Sequence, residues 1–234
     1  MKSLSGRIEN SRKESDMTGT IVVATGNADK LIEIRQILPD PGLEIISMKD
    51  AGVDVEIIEN GTTFEENAVI KARTVAMASG RMALADDSGL VVDAMGGEPG
   101  IHSARYMGRD TSYDTKNHAI IELVNEYCRK KGQDNPAENP DRPGSLPDGT
   151  PGELRSARFV CAVAAARPDG TVKTAVGTME GRIGYEIAGE NGFGYDPIFF
   201  LPEYGMTSAQ ISPQQKNAIS HRGKAFRLMR DLLQ

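Results

Sequence analysis

The sequence predicts an α/β protein, and three successive patterns near its beginning indicate that class. A compact, mainly β-branched run over 20–25 has the composition of a buried strand. Apolar residues then recur at helical spacing until Pro39, and 43–48 is a second run of strand type. A strand, a loop, a helix and a further strand in this order are typical of α/β proteins.

The next segments continue this alternation. Thr63 and Glu66 match the S/T-x-x-E capping box, which predicts a helix over about 65–79. Short apolar runs at 83–85 and 90–92 predict two further strands.

The second half contains a helix, a hairpin and a final helix. Apolar spacing predicts a helix over 114–129, and the runs 158–166 and 171–178 flank Arg167-Pro168-Asp169-Gly170, a strong hairpin signal. The segment 212–215, Ser-Pro-Gln-Gln, supplies an N-cap, a proline at the first helical position and a capping-box glutamine. The apolar stripe predicted for this helix consists of Ala225, Leu228, Met229 and Leu232.

Composition limits the possible classes of function. A chain of 234 residues, 39% hydrophobic and 26% charged, is long enough for one large domain or two small lobes that share a core. A net charge of −6 argues against nucleic-acid or anionic-membrane partners, which require concentrated positive charge. Two cysteines without CxxC spacing favour a reducing, cytoplasmic setting, and no run approaches the length of a membrane span.

The predicted domain covers 19–234, and two segments are predicted not to belong to its folded core, one before the domain and one inserted in it. Residues 1–18 are mostly polar and lack the apolar core of a signal peptide, which predicts a disordered extension, with a short helical arm as the alternative. Met17 is a candidate for the true start of the protein. The segment 132–152 is dense in proline, glycine, asparagine and aspartate, and a flexible insertion is predicted there.

The first candidate site is the segment Thr25-Gly26-Asn27-Ala28-Asp29-Lys30, between a predicted strand and a predicted helix. Free backbone N–H groups and the helix dipole favour an anion at such a place, and Lys30 adds a positive charge. The alternative is a plain helix cap, with Asn27 as N-cap and Lys30 solvated. A Walker phosphate-binding motif is absent from the sequence.

The second candidate is Asp86-Asp87-Ser88-Gly89, which joins two runs that both look buried. Neighbouring side chains of an extended segment point to opposite faces, so the two carboxylates should have different roles. One is suited to a hard cation such as Mg²⁺, and the other to a basic side chain or backbone N–H groups. Ser88-Gly89 permits a tight turn, and an ordinary surface turn is the alternative. Glu56 and Glu59 upstream are possible additional carboxylates.

The remaining candidates lie near the end of the chain. The segment Gly189-Glu190-Asn191-Gly192-Phe193-Gly194-Tyr195-Asp196-Pro197 offers close backbone approach at its three glycines, two rings for stacking on a planar base, and an acceptor in Asp196. Lys216 and the pair His221-Arg222 add donors, with Arg222 suited to a phosphate or a carbonyl group. The alternatives are a glycine-rich turn with core aromatics and a solvated helix face.

These motifs together resemble the inosine triphosphate pyrophosphatase family, also called Ham1-like or non-canonical purine NTP pyrophosphatases, in its bacterial branch. The resemblance covers about 20–225 in the expected order, through ATGNADKLIEIRQIL, TTFEENAVIKA, ADDSGLVVDAMGGEPGIHSARY, GENGFGYDPIFF and KNAISHRGKA. It implies an elongated, two-lobed α/β protein around a long mixed sheet, with the nucleotide in a central cleft, and a homodimer. The implied reaction is Mg²⁺-dependent hydrolysis of ITP, dITP and XTP to the monophosphate and pyrophosphate, which clears deaminated purines from the nucleotide pool.

Specific residue roles also follow from the resemblance. Asp87 would be the general base and a magnesium ligand, with Glu56 or Glu59 as a possible second ligand. The segment 25–30 would hold the phosphates, with Lys30 taking part in catalysis, and Ser88 would contact substrate. The base pocket would consist of Phe193, Gly194, Tyr195, Asp196, Lys216, His221 and Arg222.

Two alternatives to this function remain open on the sequence. One is a pyrophosphatase for modified pyrimidine or methylated nucleotides, which would share the phosphate and metal chemistry but use another base pocket. The other is a protein that binds purine nucleotides without cleaving them. The base-pocket motifs argue against the first, and the intact Asp86-Asp87 pair argues against the second.

Overall fold

The computed structural model describes residues 19–39, 42–131 and 152–234. The predicted N-terminal extension and nearly all of the predicted insertion lie outside these ranges. Seven strands form one mixed sheet in the order β2-β1-β3-β4-β5-β6-β7. They are β1 Gly19–Val23, β2 Leu43–Ser47, β3 Ala83–Val92, β4 Ser156–Ala166, β5 Val172–Ile183, β6 Phe199–Leu201 and β7 Met206–Thr207.

The direction of the strands changes in the middle of the sheet. Strand β1 runs parallel to both β2 and β3, whereas every later pairing, from β3 with β4 onward, is antiparallel. The long pairs β3–β4 and β4–β5 form the centre, and β4 and β5 are the predicted hairpin. The predicted α/β class with a long mixed sheet is therefore confirmed.

Five α-helices flank the sheet in the described residues. They are α1 Ala28–Ile37, α2 Phe64–Ser79, α3 Tyr113–Lys130, α4 Pro213–Ile219 and α5 His221–Leu233. Three of these helices begin at side-chain caps that the sequence indicated. The carboxamide of Asn27 accepts from the N–H groups of Asp29 and Lys30, and Ser212 forms a complete capping box with Gln215. Thr63 caps α2.

Three apolar clusters show how these helices cover the sheet. One cluster joins α1 and α5 to one face, through residues such as Leu84, Val163 and Phe226. The second joins α2 to the opposite face, where alanines of β3 and β4 allow close packing. The third lies at the other end of the sheet and includes α3 residues with Phe159 and Phe199. No helix of the described ranges has the length and apolar character needed to cross a bilayer.

The segment ADDSGL differs from the prediction, because it forms the middle of a single ten-residue strand. Ser88 and Gly89 pair with Cys161 and Val160 of β4, so the expected tight turn and the alternative of a surface turn are both wrong. A side chain on Gly89 would come within 2.3 Å of the carbonyl oxygen of Gly100. Glycine is therefore needed at this position for close approach of the chain segment that follows the strand, and no turn is involved.

The final helix also differs from the prediction, because it is divided in two at Ser220. The backbone of Ser220 is extended, and its hydroxyl accepts from the N–H of Gly223 to begin α5. This break moves the buried stripe of α5, so that Phe226 and Leu233 are buried alongside Ala225 and Met229. Leu228 and Leu232, which were predicted to be buried, are about half exposed at 50% and 49%.

Candidate active site

A cavity of about 380 Å³ opens between the start of α1, the middle of β3 and the start of α5. Most of the predicted site residues line it: Thr25, Gly26, Asn27, Lys30, Glu59, Asp86, Asp87, Ser88, Phe193, Gly194, Tyr195, Asp196, Lys216, His221 and Arg222. Three of the predicted site residues do not line the cavity. Ala28 and Asp29 are exposed on the first turn of α1, and Glu56 is exposed outside the lining.

Asp86 lies on the face of β3 that is covered by α1 and α5. Its carboxylate is fully buried and accepts from Lys30 at 2.9 Å, from Ser88 at 2.8 Å and from Arg222 at 3.3 Å. Burial alone would raise the pKa of this carboxyl, but the charges of Lys30 and Arg222 outweigh that effect and hold the pKa far below its usual range. Asp86 is therefore an ionised structural anion that positions two cations.

Asp87 lies on the opposite face, toward α2, and its carboxylate borders the cavity. Lys71 donates to it at 3.0 Å and the carboxamide of Asn67 donates at 3.3 Å. Burial raises the pKa of Asp87 despite the nearby charge of Lys71. A carboxylate whose pKa is raised in this way is better matched to proton transfer near neutral pH than an ordinary surface aspartate.

The segment 25–30 adopts the cap geometry described above, and it is also part of the cavity. The hydroxyl of Thr25 accepts from the N–H of Asn27, which shapes the turn before α1. Lys30 is not solvated, as the cap alternative had it, because its ammonium pairs with Asp86 and its side chain is only 17% exposed. The start of α1 thus presents a helix N-terminus and a cation to the cavity, which is the arrangement expected for binding an anion.

At the other end of the cavity, Lys216 holds two carboxylates together. Its ammonium lies 2.6 Å from Asp196 and 3.0 Å from Glu33, and its side chain is only 5% exposed. The alternative of a solvated helix face is therefore wrong for Lys216. Asp196 also accepts from Ser208 and from the N–H of Phe193. Through its ion pair with Lys216, it joins the glycine-rich segment to α4.

Phe193 provides an aromatic ring beside two cations. The charged ends of Lys216 and Arg222 lie 5.0 Å and 5.6 Å from its ring centre. Tyr195 is buried, donates its hydroxyl to the carbonyl of Ser103 and meets the ring of Tyr113 edge-on at 5.2 Å. The ring of Phe193 is therefore the one suited to stacking, whereas Tyr195 supports the loop from below.

His221 is buried at the start of α5, with its ring stacked on Phe159 at 4.8 Å. Burial and then the neighbouring charge of Arg222 lower the pKa of His221 well below its usual value, so the imidazole is neutral at pH 7. A neutral imidazole offers one donor and one acceptor. In the described residues, its Nδ1 has no hydrogen-bond partner.

Lys71, Asn67, Glu33 and Tyr113 are site residues that the sequence reasoning missed. A signal was present for Lys71 and Asn67, because both fall on the buried stripe of α2 that continues through Ala68, Ala72 and Val75. Polar residues inside an apolar helical stripe indicate a polar site that the helix faces. No comparable signal marks Glu33, which neighbours a buried isoleucine on α1.

In the described part of the chain, Asp87 and Glu59 are the two carboxylates that could together bind a metal ion at the cavity. Lys71 contacts both Asp87 and Glu59, the latter at 3.2 Å, so the two carboxylates lie close together beside the cavity. The described residues contain no cluster of three or more acidic, histidine or cysteine side chains suited to a metal ion. Two carboxylates fit Mg²⁺, which is commonly bound by one or two carboxylates together with substrate phosphates.

Comparison with known proteins gives one family. Residues 21–232 match the model of the Ham1 family. The dITP/XTP pyrophosphatase of Nitratidesulfovibrio vulgaris is 47% identical over 222 residues, which are 91% of this chain and 95% of that protein. The dITP/XTP pyrophosphatase of Exiguobacterium sibiricum is 41% identical over 207 residues, which are 88% of this chain and 93% of that protein.

Solved structures give the same result. A HAM1 protein from Coxiella burnetii superimposes with a TM-score of 0.74 at 36% identity, over 92% of this chain and 98% of that one. The Staphylococcus aureus Ham1 protein superimposes with a TM-score of 0.70 at 37% identity, with the same coverage of both chains. The similarity therefore extends over most of the chain.

Proposed function

Because the chain belongs to the Ham1 family, we propose that it hydrolyses the deaminated purine nucleotides dITP, ITP and XTP to the monophosphate and pyrophosphate. The relatives named dITP/XTP pyrophosphatases support this substrate class. The observation that carries the proposal is the position of Asp87. It lies in one cavity with a helix N-terminus suited to phosphates at one end and a polar aromatic pocket suited to a base at the other.

Asp87 is proposed to accept a proton from the attacking water. Its carboxylate is oriented by Lys71 and Asn67, so it needs little reorganisation during the reaction. Its raised pKa makes it a stronger base than an ordinary aspartate. The charges of Lys30 and Lys71 reduce the repulsion between the polyphosphate and an approaching nucleophile, and they stabilise the leaving pyrophosphate.

Mg²⁺ is proposed as the cofactor, with Asp87 and Glu59 as its ligands from the protein. The fit rests on two neighbouring carboxylates that border the cavity and share Lys71. Glu56, which is exposed and away from the lining, is not included in this proposal. When bound, the ion would supply positive charge to the phosphate oxygens and neutralise charge on the leaving group.

The base pocket is proposed to select a 6-oxo purine by hydrogen bonding. Hypoxanthine and xanthine carry an oxygen at the position where adenine carries an amine, so a donor from Arg222 or neutral His221 favours them. A donor left unpaired opposite an amine costs about 1–3 kcal/mol. Phe193 offers the face on which the ring would stack.

A substrate panel tests this proposal directly. Purified protein with Mg²⁺ is incubated with ITP, XTP, dITP, ATP, GTP and TTP, and pyrophosphate and orthophosphate are measured separately. We expect pyrophosphate as the primary product and a clear preference for ITP, dITP and XTP. Orthophosphate as the primary product, or equal rates on ATP and ITP, would exclude this function, and a preference for TTP would favour a pyrophosphatase for pyrimidine nucleotides.

A homodimer in the cytoplasm is part of the same proposal. Both cysteines are buried, and the sequence has no CxxC spacing, which suits a reducing compartment. Light scattering after size-exclusion chromatography measures the mass in solution, and we expect twice the chain mass of 25.2 kDa. A mass equal to one chain would contradict the dimer without affecting the proposed reaction.

A further inference from the structure

An unbroken series of ion pairs runs from the base pocket to the start of α1, and we call it the ion-pair chain. From the pocket, Lys216 contacts Asp196 and Glu33, and Glu33 contacts Arg222 at 2.5 Å. Arg222 then contacts Asp86, which also contacts Lys30. The ion-pair chain therefore consists of Asp196, Lys216, Glu33, Arg222, Asp86 and Lys30.

The contact between Arg222 and Asp86 is the longest in this series and is only partly formed. Lys30, Ser88 and Arg222 all approach the same oxygen of Asp86, Oδ2. Within the described residues, the other oxygen, Oδ1, is buried without a hydrogen-bond partner, and so is Nε of Arg222. A guanidinium and a carboxylate can form two parallel hydrogen bonds, and Nε with Oδ1 would supply the second bond of such a pair.

From this geometry we infer, on the basis of the proposed function, that Asp86 is a positioning residue that couples phosphate binding to base recognition. Phosphates that bind at the start of α1 draw the ammonium of Lys30 away from Asp86. Arg222 then completes its pair with Asp86 through Nε and Nη2. The guanidinium is thereby fixed beside Phe193, where the base binds.

Two physical reasons explain why Arg222 should replace Lys30 as the partner of Asp86 when phosphate binds. Asp86 is fully buried, and a buried carboxylate that loses a cation partner is costly until another donor replaces it. Arg222 is the adjacent donor with an unused N–H group. A guanidinium that is already fixed loses less conformational freedom when the base binds, so phosphate at one end should tighten base binding at the other.

The test is an equilibrium measurement of this coupling. The dissociation constant of inosine, which carries the base without phosphates, is measured by ligand-observed NMR with and without saturating inorganic pyrophosphate. We expect pyrophosphate to tighten inosine binding about fivefold or more in the wild type, the lower end of typical couplings between sites. Inosine must strengthen pyrophosphate binding by the same factor, which gives an independent check.

Variants locate the coupling. Asp86→Asn and Arg222→Lys should both abolish it, because the first removes the charge that needs replacement and the second removes Nε. Ser88→Ala keeps both charges and should retain the coupling, which provides a folded reference if Asp86→Asn is unstable. Lys71→Met is the matched control, because Lys71 donates to Asp87 and Glu59 on the other face of the sheet. In this variant, pyrophosphate should still tighten the binding of inosine.

The outcomes separate this inference from the proposed function. A wild type that hydrolyses ITP but shows no coupling would contradict the inference alone. Full coupling in Arg222→Lys, or its loss in Lys71→Met, would contradict the assigned route. A wild type that does not release pyrophosphate from ITP would overturn the proposed function itself.

Discussion

Asp86 and Asp87 are adjacent residues of the same type on one strand, yet their surroundings have opposite effects. Asp86 faces α1 and α5, is fully buried, and is surrounded by Lys30 and Arg222. Asp87 faces α2 and the cavity, and there burial outweighs the charges of Lys71 and Lys30. The pKa of the first is strongly lowered and that of the second is raised. The comparison teaches that the balance between burial and neighbouring charge decides in which direction the pKa of each carboxylate moves.

The largest expected effect is on turnover, from Asp87→Asn. Removal of a general base typically costs about 10²–10⁴ in rate, and we expect a loss in that range for kcat with ITP. The fold should survive, since Asp87 borders the cavity. Steady-state kinetics together with a thermal melt measures both quantities. Retention of most activity would mean that Asp87 is not the base.

For Asp86→Asn, we expect the main effect on stability, with a large loss of unfolding free energy. Breaking a buried ion pair by removing one partner costs about 3–5 kcal/mol of unfolding free energy. Urea denaturation measures this loss. Asp93→Asn is the matched control, because Asp93 also pairs with an arginine, Arg158, but its side chain is 43% exposed. That exposed pair should contribute only about 0–1 kcal/mol.

A smaller effect, confined to the Asp86 side, is expected from Gly177→Ala on β5. The added methyl group would lie 2.3 Å from the carbonyl oxygen of His221 and 2.6 Å from the N–H nitrogen of Ala225. Overpacking of this kind costs about 1–3 kcal/mol, and it displaces the start of α5 that carries Arg222.

We expect Gly177→Ala to lower the preference for ITP over ATP more than it lowers kcat with ITP. Competing-substrate kinetics gives both values. The control is Gly170→Ala in the β4–β5 turn, where an added methyl group meets no neighbour within 4 Å. Because the φ angle of Gly170 is +90°, some loss of stability is expected there, but substrate preference should not change. An equal change of preference in both variants would contradict the proposed role of Gly177.

The mildest expected effect is a shift in pH dependence. Asp87 must be ionised to accept a proton, so activity is lost as pH falls through its raised pKa, above the ordinary aspartate value of 3.8. Lys71→Met removes the charge that opposes this increase, so the acid limb of the kcat/KM profile should move to higher pH. An acid limb at the same pH in Lys71→Met and in the wild type would show that the titration of Asp87 does not set this limb.

Local patterns predicted much of the fold because they depend on neighbours along the chain. The caps at Asn27, Thr63 and Ser212 and the hairpin around 167–170 all appear where the sequence indicated. The strand through Asp86 was divided in the prediction because Ser88-Gly89 looks like a turn when read alone. Its pairing with β4, more than seventy residues later, extends it through that point.

The sequence by itself determined the α/β class, the segments that carry the chemistry, and the rule that Asp86 and Asp87 point to opposite faces. These features follow from strand and helix periodicity and from local hydrogen bonds. Only the tertiary structure decided which aspartate faces the cations of α1 and α5 and which faces Lys71 and the cavity. Burial and electrostatic surroundings depend on residues distant in sequence, so they exist only after the helices have packed on the sheet.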